Sequence, residues 1–159
     1  MTEIRVKVAD YAVAKGDAVI ATIGLGSCVA IVLYDAQSRV GGLAHILLPN
    51  EGMSRDVQNR AKFPATAVPL LVEQMQAQGS RGPITARIAG GASMFGGLLP
   101  SGGINMGERN VEATRRVLDE ASLPLVGQDT GGDYGRSIYL YVSDGRMLVR
   151  SLSRGDRVL

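Results

Sequence analysis

The chain has 159 residues, of which 45% are hydrophobic and 20% charged, and its formal net charge is +2. These values fit one globular domain spanning residues 1–159, long enough to bury a core, and they exclude a disordered or strongly polyionic chain. No lysine or arginine tract is present, because Asp144 and Asp156 lie among Arg146, Arg150, Arg154 and Arg157, so no nucleic-acid partner is expected. Residues Met1 to Asp10 lack the apolar core of a signal peptide, and no apolar run approaches the ~20 residues of a membrane helix. A cytoplasmic protein without membrane insertion is therefore expected. A lone cysteine excludes an internal disulfide, and with a lone histidine it makes no ordinary four-ligand zinc site, so neither metal nor cofactor is expected.

In chain order, strands are predicted at Ile4–Val8, Ala18–Ala21, Cys28–Tyr34, Val40–Leu47, Ile84–Ala89, Leu123–Gln128, Ser137–Val142 and Met147–Leu152. Several are continuous apolar runs, the pattern of strands covered on both faces. A helix is predicted over 67–78, with Thr66 as its cap, Pro69 in its first turn, and Val68, Leu71, Val72 and Met75 on one face. A second helix is predicted over 108–120. Strands outnumber helices and do not alternate with them regularly. The fold class expected is α+β, with packed mixed β-sheets forming a sandwich-like core and helices outside.

The most informative stretch runs from Ala21 to Val29, where a glycine-rich turn (Gly24-Leu25-Gly26-Ser27) delivers Cys28 to the start of an apolar strand. A nucleophilic thiol needs a base beside it and N–H donors aimed at the reacting carbonyl. Backbone around Gly26, Ser27 and Val29 can supply such donors. If Cys28–Tyr34 and Val40–Leu47 form a hairpin with Ala36 and Gln37 at its tip, paired residue numbers sum to 73 and Cys28 faces His45. A tip centred on Gln37 pairs Val29 with His45 instead and turns Cys28 to the other face. Two readings of the pair stand at this point: a buried cysteine with a structural histidine, or a nucleophile with its base. Gly24-Leu25-Gly26 lacks the third glycine of a dinucleotide fingerprint, and Gly91-Ala92-Ser93-Met94-Phe95 lacks the closing glycine of a serine-hydrolase elbow.

The stretches Gly24-Leu25-Gly26-Ser27-Cys28-Val29, Gly41-Gly42-Leu43-Ala44-His45 and Leu48-Pro49 resemble the signature of the CheD family of chemoreceptor glutamine deamidases. The resemblance continues through Lys62-Phe63, Gly90 to Phe95, Gly107-Glu108-Arg109-Asn110 and Asp129 to Arg136, in order along the chain. Where that family usually carries an acidic residue shortly after the Lys-Phe pair, this chain has Pro64-Ala65. The resemblance implies a cysteine–histidine–threonine set, here Cys28, His45 and Thr22, and a fold related to the catalytic domain of bacterial deamidating toxins. It further implies glutamines on chemoreceptor cytoplasmic helices as substrate, activity on glutamyl methyl esters, and the CheC phosphatase as a second partner. Gly90, Gly91, Arg109, Asn110 and Arg136 are candidates for the substrate groove. The rival readings are a non-catalytic adaptor and a thiol hydrolase of small amides.

Overall fold

A computed structural model describes residues 1–93 and 105–159; Met94 and Phe95 of the glycine-rich motif lie outside the described residues. Among the described residues, ten strands make two mixed five-stranded sheets. The first sheet has the order β1 (Thr2–Arg5), β3 (Ala18–Leu25), β8 (Arg136–Tyr141), β9 (Met147–Ser151) and β10 (Gly155–Val158). The second has the order β2 (Tyr11–Lys15), β5 (Val40–Ile46), β4 (Val29–Asp35), β6 (Thr85–Gly90) and β7 (Leu125–Thr130). Among the described residues only β1–β3 and β6–β7 are parallel pairs.

The strands β4 and β5 are buried along their whole length because the second sheet is covered on both faces. Ala30, Val32, Tyr34 and Leu43 pack towards Ile20, Ile138, Leu140 and Met147 of the first sheet. The alternate residues Val29, Ile31, Leu33 and Ala44 pack against Val68, Leu71 and Met75 of α1 (Pro64–Ala77) and Val111 and Leu118 of α2 (Met106–Glu120). That double coverage is what the unbroken apolar run of β4 encodes. Among the described residues the helices pack on the second sheet, and none covers the outer side of the first.

Local differences from expectation have local causes. The strand β2 was not expected; it is a short edge strand whose Ala and Lys content gives little periodic signal, and it forms by pairing with β5. The strand β10 is exposed throughout and exists through its backbone ladder with β9, which no side-chain pattern announces. The first helix begins at Pro64, not near Ala67: Pro64 occupies its first position, where a missing N–H costs nothing. Phe63, not Thr66, is therefore the cap residue, and the Thr66 hydroxyl donates back to the carbonyl oxygens of Arg60 (2.7 Å) and Phe63 (3.3 Å). Pro69 consequently sits in the second turn and deprives the Ala65 carbonyl of its intrahelical donor.

The hairpin joining β4 to β5 is present, but its register is neither of the two considered. Asp35 pairs with Val40 and Ala30 with His45, so the turn holds four residues, Ala36 to Arg39. The reason is Asp35. Its carboxylate is fully buried and accepts from Ser38 N (2.9 Å), Ser80 Oγ (2.6 Å) and Gly82 N (2.8 Å). Bonding Ser38 N to the side chain takes that residue out of the ladder and widens the turn. Burial pushes the Asp35 carboxyl up, but the bonds from Ser80, Ser38 and Gly82 outweigh it and hold the group well below the ordinary carboxylate range. Asp35→Asn is expected to cost about 1–3 kcal/mol at neutral pH. A group with a depressed folded pKa contributes stability above its unfolded value of ~3.9 and loses it as pH falls below that value. Urea unfolding at pH 7 and pH 3 should therefore show the wild-type advantage shrinking at the lower pH.

Candidate active site at the end of the sandwich

The chain crosses from one sheet to the other between Leu25 and Val29, and Cys28 lies in this crossing. Ala30 is opposite His45, so Cys28, two residues earlier, shares that face and lies diagonally across from His45, with no hydrogen bond between its thiol and Nε2. The observed register shares the parity of the first hairpin expected above, which keeps both side chains on the face turned towards the first sheet, where Cys28 packs at the edge of the core.

Thr22 reaches this face from the first sheet through a bulge. Thr22 pairs with Ile138 and Leu25 with Arg136, which leaves one extra residue on β3. Gly24 takes φ +74°, a left-handed conformation that suits glycine, and Ile23 is turned out to 45% exposure. Thr22 and Leu25 can then both point inward although they are three apart.

The Thr22 hydroxyl lies 2.7 Å from His45 Nδ1 and 2.7 Å from the Val6 carbonyl oxygen. A hydroxyl has one proton, and a carbonyl only accepts. Thr22 therefore donates to Val6, and His45 Nδ1–H donates to Thr22. The imidazole is thus the Nδ1–H tautomer, with an unprotonated Nε2 that is buried and meets no hydrogen-bond partner among the described residues. Val6 was not foreseen as part of the site, since nothing in its sequence context marks a carbonyl for this use.

Both groups are neutral at rest. Burial lowers the His45 pKa to about 4, and burial raises that of the half-buried Cys28 thiol, against a smaller opposing effect of a bond from its own backbone. Burial of both groups therefore favours a neutral thiol and a neutral imidazole over a thiolate–imidazolium ion pair.

The backing of the Cys28 loop is tightly made. Gly91 N donates to the Cys28 carbonyl (2.8 Å) and Ala92 N to the Gly26 carbonyl (2.9 Å). Gly90 has φ +111°, and a Cβ there would overlap the Cys28 carbonyl oxygen. Val29 is already in the sheet, between Ile46 and Gly90, so its N–H belongs to the ladder. The N–H groups of Gly26, Ser27 and Cys28 donate to no backbone carbonyl among the described residues.

Of the groove candidates, Arg109 is exposed on α2, and Gly91 lines an open cleft of about 300 Å³ with Ser93, Glu112, Arg115 and Thr130. Asn110 is fully buried behind the Cys28 loop, where no substrate reaches it. Arg136 is also buried and is corrected from groove residue to clamp. It holds Asp129 (2.9 Å) and the Gly131 carbonyl (2.8 Å) and stacks on Tyr134 at 4.0 Å, fixing the Asp129–Arg136 turn.

The fold and site together define a two-sheet domain that assembles a thiol, an imidazole and a hydroxyl at one end of its sandwich. Residues 47–151 match the family described as CheD chemotactic sensory transduction. Full-length relatives extend the match across the site. The chain is 45% identical to a protein of Caldanaerobacter subterraneus over 98% of this chain and 97% of the relative. It is 42% identical to one from Moorella thermoacetica (99% and 95%) and 45% identical to one from Archaeoglobus fulgidus (99% and 98%). Each of these three is named "Probable chemoreceptor glutamine deamidase CheD". The chain belongs to the CheD family.

A titration follows from the buried ring. The His45 imidazole, followed by NMR, should titrate near pH 4. A folded pKa below the unfolded ~6.5 means that the unfolded chain binds the proton first, so stability declines by up to about 3 kcal/mol as pH falls from 6.5 to 4. His45→Gln should flatten that decline.

Proposed function

We propose that this chain hydrolyses the side-chain amide of chosen glutamines on chemoreceptors, with Cys28 as nucleophile, His45 as general base and acid, and Thr22 as the group that orients His45. The observation that carries this reading is the free Nε2 of a histidine whose other nitrogen is committed to Thr22, on the face that Cys28 shares. The names of the relatives supply the substrate class.

Nε2 takes the thiol proton as Sγ forms its bond to the amide carbon. The resulting oxyanion accepts from loop N–H groups at Gly26, Ser27 and Cys28, while Val29 anchors the end of the loop. Loss of one such donor typically costs ~10²–10³ in rate. As the tetrahedral centre collapses, the C–N bond breaks and Nε2–H protonates the departing nitrogen, which leaves as ammonia. Water then attacks the thioester with Nε2 as base; the C–S bond breaks, the thiolate recovers the proton, and glutamate is released. Through both steps the imidazolium keeps its Nδ1–H bond to Thr22, whose own proton stays with Val6. The same steps accept glutamyl methyl esters, with methanol leaving in place of ammonia.

The half-buried thiol and the open clefts beside its loop suit a protein surface better than a small amide, which a deep closed pocket would enclose. Gly91 and Arg109 are the groove residues we retain. On family grounds alone, a CheC-type phosphatase is the second partner we propose.

The test is mass spectrometry of chemoreceptor cytoplasmic domains incubated with wild type, Cys28→Ala and His45→Ala. Glutamine should convert to glutamate at a few sites with wild type only, and Thr22→Val should slow conversion by about 10–100-fold through loss of imidazole orientation. Folded wild type that converts nothing on receptors of its own organism would favour the adaptor reading. The acid limb of kcat/KM should lie near the His45 value of about 4, so that activity persists at pH 5.5, where an ordinary histidine would be largely protonated.

A further inference from the structure

The ladder between β4 and β5 connects the strand of Cys28 to the strand of His45, yet it stops before it reaches Cys28. Its last rung is Val29–Ile46. The next would join Cys28 to Leu47, but the strands part there: Leu47 N and Leu48 N turn away to the Lys62 carbonyl, at 3.0 and 3.2 Å. Asn110 fills the gap. Its Nδ2 donates to the Ser27 carbonyl at 2.9 Å and to the Leu47 carbonyl at 3.2 Å, one residue before the nucleophile and two after the histidine.

From this we infer that Asn110 is a positioning residue, whose amide sets the spacing of Cys28 and His45 in place of the missing rung. The inference rests on the pairing proposed above. Three contacts hold Asn110 where this bridge requires. Gly107 lies against the Gly91 and Ala92 carbonyls, where a Cβ would overlap both; Val111 packs on Gly91; and Thr114 Oγ1 donates to the Asn110 carbonyl at 2.8 Å. Asn110 is fully buried, and its Oδ1 has no partner among the described residues. An unpartnered buried acceptor is costly, and leucine would fill the same space without it. The donors, not the packing, distinguish the amide from an apolar residue here.

Iodoacetamide modification of Cys28 at pH 7 tests this without any receptor, in wild type, His45→Gln, Asn110→Leu and the double variant. The single variants should each react about 100-fold more slowly than wild type, and the double variant no more slowly than either, because the two changes remove the same assistance. Deamidation by Asn110→Leu should lose about 100-fold in kcat with KM unchanged, as expected for misplacement rather than lost substrate contact. If Asn110→Leu does not fold, Asn110→Ala, whose cavity admits water, takes its place. Strictly additive effects on modification, or a variant that lowers thermal stability and leaves the rate intact, would overturn the assignment and leave Asn110 a packing residue. Equal rates for wild type and His45→Gln would overturn the pairing itself and this inference with it. His45-dependent modification without any receptor deamidation would count against the substrate alone.

Discussion

The hydroxyl of Thr22 joins three separate pieces of chain: its own strand in the first sheet, the Val6 carbonyl beyond β1, and His45 in the second sheet. It is a polar bridge through the apolar layer between the sheets. Its direction is fixed because a carbonyl cannot donate, and that fixes the proton on the imidazole. The low dielectric around the ring then keeps the ring neutral. Most other features of the site serve this arrangement. The β3 bulge turns Thr22 inward, the hairpin parity turns His45 and Cys28 to the same side, and the loop carries the thiol across from one sheet to the other.

The backbone around Cys28 is held by close approach more than by side-chain packing. Gly90 and Gly91 sit where a methyl group would strike the Cys28 carbonyl or Val111, and Gly107 lets the first turn of α2 press on the segment 91–92. Arg136 does the complementary work with charge, drawing the Asp129–Arg136 turn against the end of the second sheet. The Cys28 loop is therefore enclosed by rigid neighbours although it contains three residues outside any strand. This rigidity is what a hydrolytic site needs if its N–H donors are to be aimed before substrate arrives.

Much of this was legible in the residues. The unbroken apolar run Val29–Leu33 announced a strand covered on both faces, and the glycines before Cys28 announced a special turn. The α+β sandwich followed from the count and order of strands. The hairpin register was not legible, because it depends on where the Asp35 carboxylate sends its bonds, and Ser80 and Gly82 are more than forty residues away. Its parity survived, which is why the cysteine and histidine still share a face. The strand β10 and the Val6 carbonyl were invisible for a related reason: both act through backbone atoms, which every residue carries alike. Asn110 was visible as part of a motif, but its burial, and so its place behind the loop rather than in a groove, came only from the docking of α2.

Thr22, Cys28 and His45 all lie in the first third of the chain, while the partners that hold them arrive late. On its inner side in the first sheet, β3 neighbours β8, at 136–141; the Cys28 carbonyl is held by residue 91, and the Ser27 carbonyl by residue 110. During synthesis these three residues therefore leave the ribosome long before β8, Gly91 and Asn110 can back them. Such distant pairings delay folding, since each closes a long loop before it is rewarded. A nascent or truncated chain carries an ordinary thiol and an ordinary histidine. The alignment of Thr22, Cys28 and His45 is therefore complete only when the sandwich closes.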